Sequence, residues 1–202
     1  ALAGQNVQAI DVDADNNVWI GTTLGLSKYN GENFSQITTD DGFHGELIYD
    51  IFAHSSGDIY VAHNNGLSVF AGDFWTNYDI GSGLPTNNVR CITEDINNNI
   101  WIGTSDAGVA YFDGNVWNQL SISDGLHSNN ISSIFADKSG NVWFASNKIS
   151  YFNGSSIKIF DSEDTGISLI TNIIQLDNGN LLFSSYSGIA EYNYFQWSMF
   201  NE

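Results

Sequence analysis

Short apolar runs recur along the whole chain, each closed by a cluster of Asn, Asp, Gly or Ser. Runs of that length bounded by turn residues predict β-strands. No segment of useful length carries the apolar spacing of an amphipathic helix. The runs are themselves periodic. Trp19, Tyr60, Trp101, Trp143 and Leu182 follow one another at steps of 41, 41, 42 and 39 residues. Around them stand VWIGTTLGLSKYNG, IYVAHNNGLSVFAG, IWIGTSDAGVAYFDG, VWFASNKISYFNG and LLFSSYSGIAEYN.

Each repeat predicts four strands. The first carries the pairs Ile10/Val12, Ile48/Ile51, Val89/Ile92, Ile131/Ile134 and Ile170/Ile173. A tight hairpin follows at DADNN, HSSGD, DINNN, DKSGN or DNGN, because Asn, Asp and Gly tolerate positive φ. The second strand is the run at Trp19 and its equivalents. The third ends at a second turn, Asn30-Gly31, Ala71-Gly72, Asp113-Gly114 or Asn153-Gly154. The fourth runs through Phe34, Trp75, Trp117, Ile157 and Phe195, and a Gly-containing loop leads on. Four strands repeated five times predict an all-β fold, a five-bladed β-propeller with four antiparallel strands per blade. A sandwich would impose no forty-residue period. The expected boundaries are one propeller over 1–202, with blades at about 1–43, 44–84, 85–126, 127–166 and 167–202. Trp19, Trp101 and Trp143 are expected between blades as core. Both ends fall at one point of the repeat, so closure as a five-bladed ring is expected, against an excerpt of a larger ring.

Composition narrows the function. Five Lys and Arg stand against 23 Asp and Glu, a formal net charge of −18. Such a chain repels phosphate backbones and anionic membranes, which argues against nucleic-acid partners. No apolar run is long enough to span a bilayer as a helix, so no membrane insertion is expected. The single cysteine, Cys91, excludes an internal disulfide framework and lies in an apolar run as a buried thiol. The acidic surface also disfavours pairing of exposed edge strands, so a monomer is expected.

No catalytic or metal motif stands out. Asp11, Asp13 and Asp15 alternate like a calcium loop, but no distal Glu follows, and turn chemistry accounts for them. His44, His54, His63 and His127 show no ligand spacing, so neither metal nor cofactor is expected. His44, His63 and His127 fall in the fourth-to-first or second-to-third loops, which share one face of a propeller. With Asn65, Asn88, Asp106 and Asn130 they form the candidate ligand-binding face. Asp11, Asp50 and Glu94 on first strands are the acids for a glycosidase alternative, which needs two carboxylates across a cleft. No Gly-x-Ser-x-Gly or phosphate-cradling loop is present.

The pattern Ile-x-x-Ile, then a Gly-Asn-Val-Trp-Phe or Asn-Ile-Trp-Ile-Gly-Thr run, then Gly-Leu-Ser-x-Tyr-Asn-Gly, resembles the two-component regulator propeller repeat. The best matches are Asn17 to Asn30, Asn99 to Asp113 and Asn141 to Asn153. The resemblance implies an extracellular or periplasmic bacterial propeller, either part of a larger sensor or in a surface protein. It also implies recognition of glycans. Family sensors carry more repeats than these five. The fifth repeat departs from the pattern, with Leu182 for Trp and Ser184-Ser185 for Gly-Thr. The resulting expectation is a non-enzymatic binding or sensing module for a carbohydrate or peptide. A structural scaffold, including an excised or engineered repeat protein, is the first alternative, and the glycosidase the second.

Overall fold

The computed structural model describes residues 1–200 as five four-stranded antiparallel sheets, one per repeat. They are β1 Val7–Val12, β2 Val18–Thr22, β3 Gly25–Tyr29 and β4 Phe34–Ile37; β5 Ile48–Ala53, β6 Ile59–His63, β7 Gly66–Ala71 and β8 Phe74–Tyr78; β9 Val89–Glu94, β10 Ile100–Thr104, β11 Val109–Phe112 and β12 Trp117–Leu120; β13 Ser133–Ala136, β14 Val142–Ala145, β15 Ile149–Phe152 and β16 Ile157–Phe160; and β17 Ile170–Gln175, β18 Leu181–Ser185, β19 Gly188–Tyr192 and β20 Trp197–Phe200. In every sheet the strands lie in chain order, joined by hairpins. This is the all-β, five-bladed propeller architecture that the repeat predicts. The chain divides into two compact units, Ala1–Ile92 and Thr93–Glu202, and the division falls inside β9.

Strand pairing places the repeat. Trp19 faces Asp11 across β1 and β2, and Val7 pairs with Thr22, with a bulge between Val7 and Ala9. The same bulge recurs between Ile48 and Asp50 and between Ile170 and Asn172. The apolar pair of the first blade is therefore Val7 and Ile10, equivalent to Ile48 and Ile51, in place of Ile10 and Val12. The fourth strand of the last blade also shifts. Trp197 pairs with Tyr192, and Phe195 lies outside β20, 94% exposed. Tyr194, at a φ of 68°, sets this turn two residues later than the aromatic run suggests.

Side-chain ties add to the strand ladder in anchoring the tryptophans. Asp13 Oδ2 accepts from Trp19 Nε1 at 2.9 Å. Asp95 and Asp137 do the same for Trp101 and Trp143, each at 2.8 Å. Each of these acids also caps its own hairpin, accepting the backbone N–H groups two and four residues on. A buried indole N–H left unpaired would cost free energy, and the turn acid satisfies it. In the first unit, Trp19 packs with Leu26, Phe43, Ile48, Ile51 and Val61 of the core, and its ring lies 5.7 Å from Phe70. In the second unit, Trp143 meets Phe183 and Tyr192 of the next blade. These tryptophans fill the space between blades.

The fourth-to-first loops are more ordered than a Gly-containing connection requires. Thr38–Asp41, Asp79–Ser82 and Ser121–Asp124 are reciprocal capping boxes on 3-10 turns, and Asp161–Asp164 is one on α1, Ser162–Thr165. Each ends at a left-handed glycine, namely Gly42, Gly83, Gly125 and Gly166.

Candidate functional site

The candidate face of the first unit is built where the β6–β7 turn meets the loop entering β5. Asn64 N–H donates to the Leu47 carbonyl at 3.2 Å, and Asn64 Oδ1 accepts from Leu47 N at 3.1 Å. Asn65 Nδ2 donates to the His44 carbonyl at 3.0 Å. Three bonds thus clip turn to loop and bring Asn65 and His44 together, both exposed. The clip presents the His44 imidazole on a fixed backbone.

His63 is placed differently. It is 1% exposed, with its ring edge toward Phe43 at a centroid distance of 5.5 Å. Its Nδ1 accepts the Asn65 N–H at 3.1 Å, so Nε2 carries the proton and meets Ser68 Oγ at 2.7 Å. Ser68 Oγ donates to Asn77 Oδ1, and Asn77 Nδ2 donates to the Gly42 carbonyl. The ring is a satisfied core bracket beneath the face. Burial is the main cause that pushes its pKa down to about 4, and His44 adds to it. Thr22, Thr104, Ser146 and Ser185 hold the equivalent position, each with its hydroxyl on the next turn.

Asn88 is half-buried at the entry to β9, its N–H on Thr86 Oγ1. In the second unit Asp106 is exposed in the β10–β11 turn. Asn130 is exposed in the loop before β13, its N–H on Ser128 Oγ, and His127 is half-buried there. A backbone clip recurs, with Gly108 N–H on the Asn129 carbonyl and Ile131 N–H on the Thr104 carbonyl. Among the described residues no group of three or more His, Cys, Asp or Glu could hold a metal ion.

The strand acids are tied to backbone. Asp11 Oδ1 accepts Val12 N–H and Oδ2 accepts Ala53 N–H of the next blade, at 2.8 and 2.6 Å. Asp50 Oδ1 and Oδ2 accept the N–H groups of Ile51 and Ile92, at 2.9 and 2.8 Å. Burial raises the Asp50 pKa to about 7, against the pull of those two N–H groups and with help from the Asp11 charge. In each acid Oδ1 holds its own strand and Oδ2 stitches it to the first strand of the next blade.

Sequence reasoning did not anticipate a groove of about 350 Å³ at the opposite end of the first blade. Asn17, Lys28, Asn30, Asn33, Phe34 and Ser35 line it. Phe34 is 45% exposed and stacks on Tyr29, centroids 4.5 Å apart. Asn30 Oδ1 accepts two N–H groups of its own turn, which fixes the amide. Lys28 Nζ stands 4.8 Å over the Trp19 ring and 3.9 Å from Asp13. The only signal in the sequence was a polar turn beside an aromatic residue, which every blade shares.

Comparison with known proteins agrees with the fold. The two component regulator propeller profile matches residues 1–23, 83–106 and 125–148. The matched stretches fall in the first, third and fourth blades, the ones whose residues resemble the repeat pattern most. The chain is similar to the extracellular domain of a putative hybrid two component system from B. thetaiotaomicron, at 24% identity and a TM-score of 0.87, over 99% of this chain and 29% of that one. It is also similar to the extracellular domain of a putative one component system from the same organism, at 17% identity and a TM-score of 0.82, over 98% of this chain and 31% of that one. Virginiamycin B lyase from Staphylococcus aureus matches at 17% identity and a TM-score of 0.78, over 99% of this chain and 72% of the lyase. The chain thus spans less than a third of those two extracellular domains. No curated protein shows significant similarity to it.

Proposed function

We propose that this chain is a non-enzymatic, extracytoplasmic recognition module whose ligand is a carbohydrate. The groove of the first blade carries the reading. Sugar rings offer apolar faces and hydroxyl edges, and the groove pairs an exposed Phe34 face with the amides of Asn17, Asn30 and Asn33 and the hydroxyl of Ser35. Its polar lining suits a hydrated ligand better than a lipid or an apolar peptide. The acids argue against hydrolysis, because Asp11 and Asp50 already bond to backbone N–H groups. The likeness to extracellular domains of putative two and one component systems supports an extracytoplasmic setting.

The test is a glycan array, followed by titration calorimetry on any hit. Phe34→Ala is expected to weaken binding by about tenfold while leaving the melting temperature unchanged, since one stacked ring contributes about 1–1.5 kcal/mol. His44→Ala probes the face formed by the β6–β7 turn and the loop entering β5, and is expected to leave affinity unchanged. Binding lost through His44 and kept without Phe34 would move the site to the opposite face. No glycan hit at all would end the carbohydrate reading.

A further inference from the structure

The second strand of each blade sets its anchor residue beside one residue of the third. In the third and fourth blades that residue is a tyrosine, since Trp101 pairs with Tyr111 and Trp143 with Tyr151. The two rings of each pair lie with centroids 4.4 and 4.6 Å apart. In the first blade the same register pairs Trp19 with Lys28. Lys28 Nζ stands 4.8 Å over the indole in place of a phenol ring. A thin aliphatic stem covers less of an indole than a ring does, and the groove of the first blade lies at this exchange.

The ammonium is held in place there but its donors are not used. It carries three N–H groups. Asp13 Oδ2 is 3.9 Å away, close enough to attract it but beyond hydrogen-bond reach. That oxygen already accepts from Trp19 Nε1 and Asn17 Nδ2, both at 2.9 Å, so its two lone pairs are taken. Among the described residues Nζ meets no hydrogen-bond acceptor. Its side chain is 28% exposed, and it is the one cation among the described residues that line the groove. The rest of that lining is uncharged: three amides, a hydroxyl and the Phe34 ring.

We infer that Lys28 reads a single carboxylate, so that the ligand is a glycan carrying one uronic acid among neutral sugars. This rests on the carbohydrate reading of the groove and names the class of sugar. Phe34 meets a sugar face, and the ammonium gives the carboxylate the charge-assisted hydrogen bonds that the saturated Asp13 does not take up. The charge of the whole chain sets the limit to one. A lone carboxylate gains a local bond at Lys28. A polysulfated or polyuronate chain instead carries many charges into the field of 23 acids against five Lys and Arg. A volume of about 350 Å³ is at the small end of ligand sites, which suits a short stretch of sugar chain.

An array of matched oligosaccharide pairs tests it, each pair differing only in hexose against hexuronate at one position. Titration calorimetry then compares the best acid with its methyl ester, which keeps the shape and removes the charge. The acid is expected to bind about tenfold more tightly than the ester, the gain of one charge-assisted contact. Lys28→Met should bring the acid down to the affinity of the ester, and Lys28→Arg should keep the preference. Lys28→Tyr installs the residue of the third and fourth blades, and should close the groove to acid and ester alike. A heparin fragment, as a polyanion, should bind more weakly than the acid. Equal affinity for acid and ester overturns the inference and leaves the carbohydrate reading standing. So does a preference that survives Lys28→Met, or a heparin fragment that outbinds the acid. No glycan hit of either kind ends both readings. The acid-to-ester ratio is measured on the parent chain, so it decides even where a variant fails to fold.

Discussion

At the scale of the residue, the acids of the first hairpin act as anchors for the residue six positions on. Asp137, 1% exposed, accepts from Trp143 Nε1, from Asn141 through both its backbone and its amide, from Ser139 N–H and from Tyr194 Oη. Asp13 makes a similar set at a half-buried site. Burial raises the Asp13 carboxyl, but the bonds from Trp19 and Asn17 and the Lys28 charge outweigh it and leave the pKa below the ordinary value. Asp137→Ala strands several buried donors, so it is expected to cost about 3 kcal/mol in urea unfolding, and Asp13→Ala about half of that because water reaches the vacated site. Equal losses would show that the tie to tryptophan contributes nothing beyond the turn. Sequence patterning showed these acids only as hairpin residues. The tie was visible in another form. Where Trp gives way to Tyr60, the anchor position holds His54, and where it gives way to Leu182, it holds Leu176. The two positions change together because an acid without an indole donor would be a carboxylate buried for nothing.

At the scale of the element, the second blade carries two opposed titrations. Asp50 on β5 has its pKa raised to about 7. Its stabilising contribution is complete below the unfolded value and fades as pH rises from about 4 to about 7. His63 on β6 has its pKa lowered to about 4. Its contribution is complete above the unfolded value and fades as pH falls from about 6.5 to about 4. The slopes oppose each other over nearly the same window, so the parent should show a flat stability profile there. Asp50→Asn removes one slope, and its unfolding free energy should rise with pH across that window by about 2–3 kcal/mol. His63→Gln removes the other, and stability should fall with pH by a similar amount. Urea midpoints at about pH 4.5 and about pH 7 decide the matter, and parallel profiles for parent and both variants would contradict it. The strands of this blade were legible from alternation and turn residues. The role of His63 was not, because sequence assigned it to a loop, where a histidine is exposed. Its ring instead turns inward on a strand end, in a slot that the other blades fill with Thr or Ser. The fourth strand of the last blade was misplaced for a similar reason. An aromatic run shows which residues favour a strand, whereas the left-handed Tyr194 decides where the strand begins.

At the scale of the whole molecule, blade number was fully legible, because a period of about forty residues leaves no other reading. Charge acts at this scale as well. Lys28 pairs with Asp13 at 3.9 Å, but five Lys and Arg cannot offset 23 Asp and Glu, so most of the acids repel one another across the surface. Many are held by turn N–H groups, as with Asp113 on the N–H groups of Asn115 and Val116. Such bonds stabilise the turn but leave the charge in place. Raising salt from about 20 to about 200 mM should therefore stabilise the fold by about 1–2 kcal/mol, or about 3–6 °C in melting temperature. The acids are spread over many turns without converging on a point. Calcium and magnesium at equal concentration should then raise the melting temperature equally, acting as diffuse counterions. Differential scanning calorimetry with the two chlorides separates the cases. A built site would favour calcium, whose larger shell accepts irregular oxygen ligands, and an excess of several degrees for calcium over magnesium would contradict the diffuse picture.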